Sequence, residues 1–131
     1  MGTWAHRVNS MVLFFEDVPA AAEFYHRVFE VPVERVFEDC YACTIGDQLT
    51  VLVGTGLYGE NVAPAKVAPP DAGIRGWNAF FVDDVDRTAA MLVERGVTLL
   101  REPENRPEGH RAAMFADPGG HVYEISSGPG E

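Results

Sequence analysis

Residues 10–29, SMVLFFEDVPAAAEFYHRVF, and residues 77–96, WNAFFVDDVDRTAAMLVERG, are two copies of one pattern. Trp77 lies 67 positions after Ser10, and at the same spacing Asp84 follows Asp17, Val85 follows Val18 and Ala89 follows Ala22. Each copy runs from an apolar strand through acidic residues into a helix. A repeat of this kind makes each copy one supersecondary unit, and the fold is a pairing of such units.

The two helices carry start and stop signals. Asp17 and Asp84 are N-cap candidates, because a carboxylate there accepts the free backbone N–H groups of a first turn. Pro19 is tolerated in that turn. Val18, Ala22, Tyr25 and Phe29 form one apolar stripe at helical spacing. Val85, Ala89 and Leu92 form another, and Gly96 stands where a helix C-terminus favours glycine.

Strand-like runs follow each helix. In the first half they are Pro32–Asp39, Tyr41–Ile45 and Gln48–Gly54, with Gly46 and Asp47 as a hairpin turn. In the second they are Thr98–Glu102, Arg111–Ala116 and His121–Ser126, with Asp117-Pro118-Gly119-Gly120 as the last turn. The expected fold is α+β: two βαβββ modules, 8–54 and 77–127, joined by a Gly-, Ala- and Pro-rich linker or flap over 55–76. The modules would enclose a cleft. Strand alternation sets Leu13, Phe15, Phe80 and Val82 under the helices. Met11 goes with Leu13 and Phe15, and Ser10, Val12, Phe14, Trp77, Ala79 and Phe81 point toward the cleft.

With 131 residues, 47% of them hydrophobic, the chain suffices for one domain of two pseudo-repeats with a real core. Twenty acidic against ten basic residues give a formal charge of −10. That argues against nucleic-acid binding and favours a cationic small molecule through long-range attraction, with solubility as the plainer reading. No apolar run reaches the roughly 18 residues of a membrane span. The opening MGTWAHRVNS lacks the pattern of a signal peptide, so a cytoplasmic location is expected. Cys40 and Cys43 sit three apart on a strand, point to opposite faces and have no second pair with which to build a zinc site.

The segments EDVPAAAEFYHRVF, FFVDDVDRTAAMLVERGV and FADPGGHVYEI, with the paired modules, resemble the vicinal oxygen chelate superfamily. It includes glyoxalase I, extradiol dioxygenases, fosfomycin-resistance enzymes and bleomycin-resistance proteins. The resemblance covers Val8 to Ser127. Enzymes of that group hold a divalent metal at equivalent strand positions of the two modules, in some members with a fourth ligand from the last strand of the first module. Carried over, those positions fall on Ser10, Val51, Trp77 and Glu124, a set with one carboxylate. The resemblance therefore implies no metal and no cofactor. His6, His26, His110 and His121 fall on none of the four positions.

It implies instead the habit of the superfamily's metal-free members: binding an antibiotic and holding it from its target, as homodimers. The expected ligand is an aromatic or cationic antibiotic. Aromatic rings with a few polar groups make the usual small-molecule site. The candidate binding residues are Ser10, Phe14, Phe37, Tyr41, Val51, Tyr58, Trp77, Phe81, His110, Arg111 and Glu124, with Trp4 from the N-terminal arm. Arg75, Arg106 and Arg111 are polar candidates at the rim. Glu124 would either meet a ligand donor or be paired internally by Arg111. The alternative is an enzyme: a metal-dependent lyase or dioxygenase, or a metal-free isomerase or cyclase with Glu124 as base.

Overall fold

The computed structural model describes residues 8–55, 71, 73, 76–107 and 109–128. The chain divides into two compact units, Met1–Ala68 and Pro69–Glu131. The first contains β1 (Ser10–Phe15), α1 (Val18–Phe29), β2 (Glu34–Phe37), β3 (Cys40–Ile45) and β4 (Gln48–Gly54). The second contains β5 (Asn78–Phe81), α2 (Val85–Glu94), β6 (Leu99–Asn105), β7 (Arg111–Ala116) and β8 (Val122–Ser127). Both are βαβββ modules of an α+β fold. Of the expected linker, only Thr55, Asp71, Gly73 and Gly76 fall among the described residues.

The two four-stranded sheets share one topology, β1-β4-β3-β2 and β5-β8-β7-β6. In each, the first strand runs parallel to the last and the remaining pairs are antiparallel. The registers also match. Val12 stands beside Val51 in the first sheet, and Ala79 stands beside Glu124 in the second. Val51 and Glu124 are therefore equivalent positions of the two modules.

The caps hold both helices as their acidic residues predict. Asp17 Oδ1 accepts from the Ala20 N–H at 3.1 Å, and Asp84 Oδ1 accepts from the Arg87 N–H at 3.1 Å. The second stripe, Val85, Ala89 and Leu92, is buried, and α2 packs on β6, β7 and β8. The first stripe keeps Val18 and Tyr25 of the expected four and shifts by one position at the other two. Val18, Ala21, Phe24, Tyr25 and Val28 are buried, while Ala22 and Phe29 are only partly covered. The shift follows the aromatics. Tyr25 is fully buried, with Phe15 and Phe24 edge-on at 6.0 and 5.8 Å and Phe29 stacked at 5.1 Å. In the second unit Tyr123 is stacked by Phe80 at 5.6 Å and Phe115 at 5.4 Å. Such pairs add to area burial when offset or edge-on.

Strand ends depart modestly from the expected runs. β2 is shorter than Pro32–Asp39. β6 continues to Asn105, beyond Glu102, although it contains Pro103. It can do so because it is an edge strand whose pairing with β7 shifts register twice. The Asp117 turn is held by its own side chain. Oδ1 accepts from the Gly119 and His121 N–H groups at 2.9 and 3.0 Å, and His121 Nδ1 lies 2.9 Å away. His121 thus belongs to the turn.

Cys43 pairs with Thr50 and Cys40 with Val53, on opposite faces of the sheet, and both thiols are free and buried. Burial pushes the Cys43 thiol up to about 11. Thiolate is the reactive form. Native protein at pH 8 is expected to resist thiol alkylation at Cys43 over hours and to label within minutes in denaturant, read by mass spectrometry of the tryptic peptide.

Candidate functional site

The polar centre of the second unit is Glu124, in the middle of β8. Central pairing puts Ala79 on one side of it and Met114 on the other. Its side chain is 12% exposed. A carboxylate so placed needs partners to offset lost hydration, and three side chains supply them.

Trp77, just before β5, donates its indole Nε1–H to Glu124 Oε1 at 3.3 Å. Arg106 Nη2 lies 3.7 Å from Oε2, and His110 Nε2 lies 3.8 Å from the same oxygen. Both distances exceed hydrogen-bond length. Among the described residues, Oε2 therefore has charged and polar neighbours but accepts no hydrogen bond.

Arg106 and His110 are brought together by the β6–β7 hairpin loop. The Arg106 N–H donates to the His110 carbonyl at 2.7 Å, and the Gly109 N–H donates to the Arg106 carbonyl at 3.0 Å. At Gly128, φ is +110°, and a Cβ there would come within 3.3 Å of His110 Cα. The end of β8 thus passes directly behind the histidine. A side chain at 128 would strain its own backbone and push His110 from the carboxylate.

The expected candidates divide. Trp77, His110 and Glu124 come together. Phe81 follows on the same face of β5, two residues beyond Ala79, and is 66% exposed. Arg106 proves closer to Glu124 than its expected place at the rim. The hairpin loop that carries it is closed by backbone hydrogen bonds, a geometry its sequence spacing does not show.

Arg111 does not pair with Glu124. It stands one residue off the parity of Met114 and Ala112, so its side chain leaves by the α2 face. There Nε and Nη2 donate to Asp86 at 2.7 and 2.8 Å, and Nη1 donates to Asn105 at 3.1 Å. That hydrogen-bonded guanidinium holds the Asp86 carboxyl below its ordinary range.

In the first unit, Ser10, Phe14, Phe37 and Val51 share one face of the sheet, through the rows Ser10–Leu49–Thr44, Val12–Val51–Ala42 and Phe14–Val53–Cys40–Phe37. Val12, Leu49 and Phe37 are exposed there. A groove of about 390 Å³ lies along Pro32, Glu34, Ala42, Thr44 and Leu49. Tyr41 is not on this face. It stands beside Leu52 and hence Leu13, on the side that α1 covers, because its odd position reverses its direction from Ala42. Tyr58, Trp4, His6 and Arg75 lie outside the described residues.

The donor set around Glu124 does not fit a divalent metal. Of the three neighbours only His110 has a lone pair to give, which with Glu124 makes two ligands where catalytic sites present about three, and the permanent Arg106 cation beside the carboxylate opposes a second one. The equivalent position in the first unit is Val51. Among the described residues no three His, Cys, Asp or Glu side chains gather as metal ligands would. No helix among them is long and apolar enough to cross a membrane.

Comparison with known proteins agrees with this architecture. Solved structures similar to the chain include a glyoxalase/bleomycin resistance protein/dioxygenase from Nocardioides, with 19% identity, TM-score 0.82 and coverage of 99% of this chain and 92% of that one. A glyoxalase-related enzyme from Fulvimarina pelagi is 25% identical, with TM-score 0.79 and coverage of 95% and 90%. Lactoylglutathione lyase from Agrobacterium tumefaciens is 18% identical, with TM-score 0.71 and coverage of 95% of each chain. The putative glyoxylase CFP32 of Mycobacterium bovis and of Mycobacterium tuberculosis is 36% identical over 59 residues. That match spans 44% of this chain and 23% of those relatives' length. The model of the Glyoxalase/Bleomycin resistance protein/Dioxygenase superfamily matches residues 7–125, and the chain belongs to that superfamily.

Proposed function

We propose that the chain is a metal-independent small-molecule binding protein that sequesters an antibiotic, and that the antibiotic is aromatic. The observation that carries this reading is the state of Glu124. The one carboxylate among the four metal-ligand positions is held by the Trp77 indole N–H and faces Arg106 and His110. The site offers a half-exposed aromatic ring beside a few fixed polar groups, as small-molecule sites commonly do. A purely cationic ligand is less well supported than an aromatic one, because Arg106 already balances the carboxylate.

The test has two parts. Protein purified from metal-supplemented medium should carry no stoichiometric Zn²⁺, Ni²⁺, Mn²⁺ or Fe²⁺, and titration should reveal no tight site. Aromatic antibiotics screened by tryptophan quenching should yield a binder whose affinity falls roughly 5- to 150-fold in Trp77→Ala, the loss of about 1–3 kcal/mol typical of a buried aromatic anchor. Tight stoichiometric metal, or no response to any compound, would sink the reading.

A second reading has one observation in its favour. Glu124 Oε2 accepts no hydrogen bond, which leaves it available to take a proton, as a metal-free isomerase or cyclase would require. A change in ligand mass, or a new isomer on chromatography after incubation, would move the assignment to that enzyme.

The proposed binder acts as a homodimer. The exposed apolar side chains Val36 and Phe37 on the edge strand β2, and Leu100 on the edge strand β6, support this. Light scattering should give about twice the 14.4 kDa of one chain.

A further inference from the structure

We infer that the group recognised beside Trp77 is a neutral planar head that carries a hydrogen-bond donor and an acceptor on neighbouring atoms. A carboxamide, a lactam or a hydroxyl beside a carbonyl has this form. The inference rests on the binding reading given above and specifies what that site would select.

Two unmet needs lie side by side. Arg106 Nε and Nη2 are buried and have no hydrogen-bond acceptor. Glu124 Oε2, 3.7 Å from Nη2, has no donor among the described residues. Of the two, the guanidinium has given up water without a replacement, which is costly. They do not satisfy each other, because 3.7 Å is an ion-pair distance and not a hydrogen bond. Trp77 fixes the other carboxylate oxygen, so Oε2 keeps a defined direction.

A ligand that meets both needs must present a donor to Oε2 and an acceptor to the guanidinium. A carboxylate ligand would suit Arg106 and repel Glu124. An amidinium or ammonium would suit Glu124 and repel Arg106. A neutral donor–acceptor head suits both, and its plane can continue over the exposed Trp77 ring. Contact with the guanidinium requires the Arg106 side chain to swing outward from its hairpin loop.

Three probes with one ring and three heads separate these cases: benzamide, benzoate and benzamidinium. Binding to the native protein is followed by the Trp77 indole N–H signal in ¹H–¹⁵N spectra, assigned by its loss in Trp77→Phe. Benzamide should bind at least about fivefold more tightly than either charged probe. In Arg106→Gln the unbalanced carboxylate should move the preference to benzamidinium. In Glu124→Gln the unbalanced guanidinium should move it to benzoate.

A charged probe that wins on the native protein, a ranking unchanged in both variants, or no shift with any probe would overturn the inference. If a variant fails to fold, the native ranking decides alone. An aromatic antibiotic that binds native and variant proteins equally well would overturn the head-group inference and leave the binding reading standing. Tight metal uptake would remove the binding reading whatever the probes show.

Discussion

Replacing Asp117 with alanine is expected to destabilise the protein by about 2–4 kcal/mol, although the residue sits in a turn. The Asp117 side chain is fully buried. Its Oδ1 receives the N–H groups of Gly119 and His121 and approaches His121 Nδ1. Alanine would leave those two backbone donors without the carboxylate and would untie the imidazole. Each orphaned donor costs about 1–3 kcal/mol. Thermal unfolding should fall by about 10 °C, taking roughly 4 °C per kcal/mol for a chain of this size. Asp117→Asn keeps a side-chain oxygen in place and should recover at least half of the loss. The turn also sets where β8 begins and so where Glu124 stands. Ligand affinity in Asp117→Ala should therefore fall together with stability. A variant within 1 kcal/mol of the native protein would show that solvent replaces the carboxylate and that the turn is held by Gly and Pro geometry alone.

The parts of the fold that were legible in the sequence are those whose causes are local. Asp17 and Asp84 announce their helices because capping acts over three residues. Gln48–Gly54 and Arg111–Ala116 come out at the expected limits because turn residues bound them closely. Counting from the last turn of each module gives the equivalence of Val51 and Glu124, and the matching registers of the two sheets agree with it. The failures have causes that are not local. The α1 stripe moves because Tyr25 gathers Phe15, a strand residue, as well as its own helical neighbours. Tyr41 goes to the helix-covered face because the sheet register sets it beside Leu52 and Leu13, and an aromatic residue read alone does not show that register. Arg111 finds Asp86, 25 positions away, across the sheet–helix interface. Arg106 was no more than one of three arginines. Its place beside Glu124 depends on the twice-shifted edge strand β6 and on a loop closed by backbone hydrogen bonds. No pattern in the residues around it encodes either.

Arg106→Met is expected to cost about 2–3 kcal/mol, and the double variant Arg106→Met/Glu124→Leu to regain most of it. The reason is the asymmetry of buried charge. Removing one partner of a buried pair costs about 3–5 kcal/mol because the other is left uncompensated, while replacing both by apolar groups is often neutral or favourable. The figure here is set lower because the Arg106 and Glu124 side chains keep 19% and 12% of their exposure and sit 3.7 Å apart. In the double variant a leucine at 124 would lie between Ala79 and Met114, an apolar surrounding that suits it. Trp77 would lose its acceptor, but the residue is 51% exposed and can turn its N–H to water. Urea unfolding of the four proteins, native, two single variants and double, gives the coupling directly. A double variant near native stability, much less destabilised than the sum of the two single variants, would mean that the cluster does little for the fold. Its partly unmet hydrogen bonds then make sense as groups kept ready for a ligand, and the same double variant should have lost ligand binding. A double variant as unstable as Arg106→Met would instead assign the cluster to the framework of the second unit, and the case for a binding role would rest on Trp77 alone.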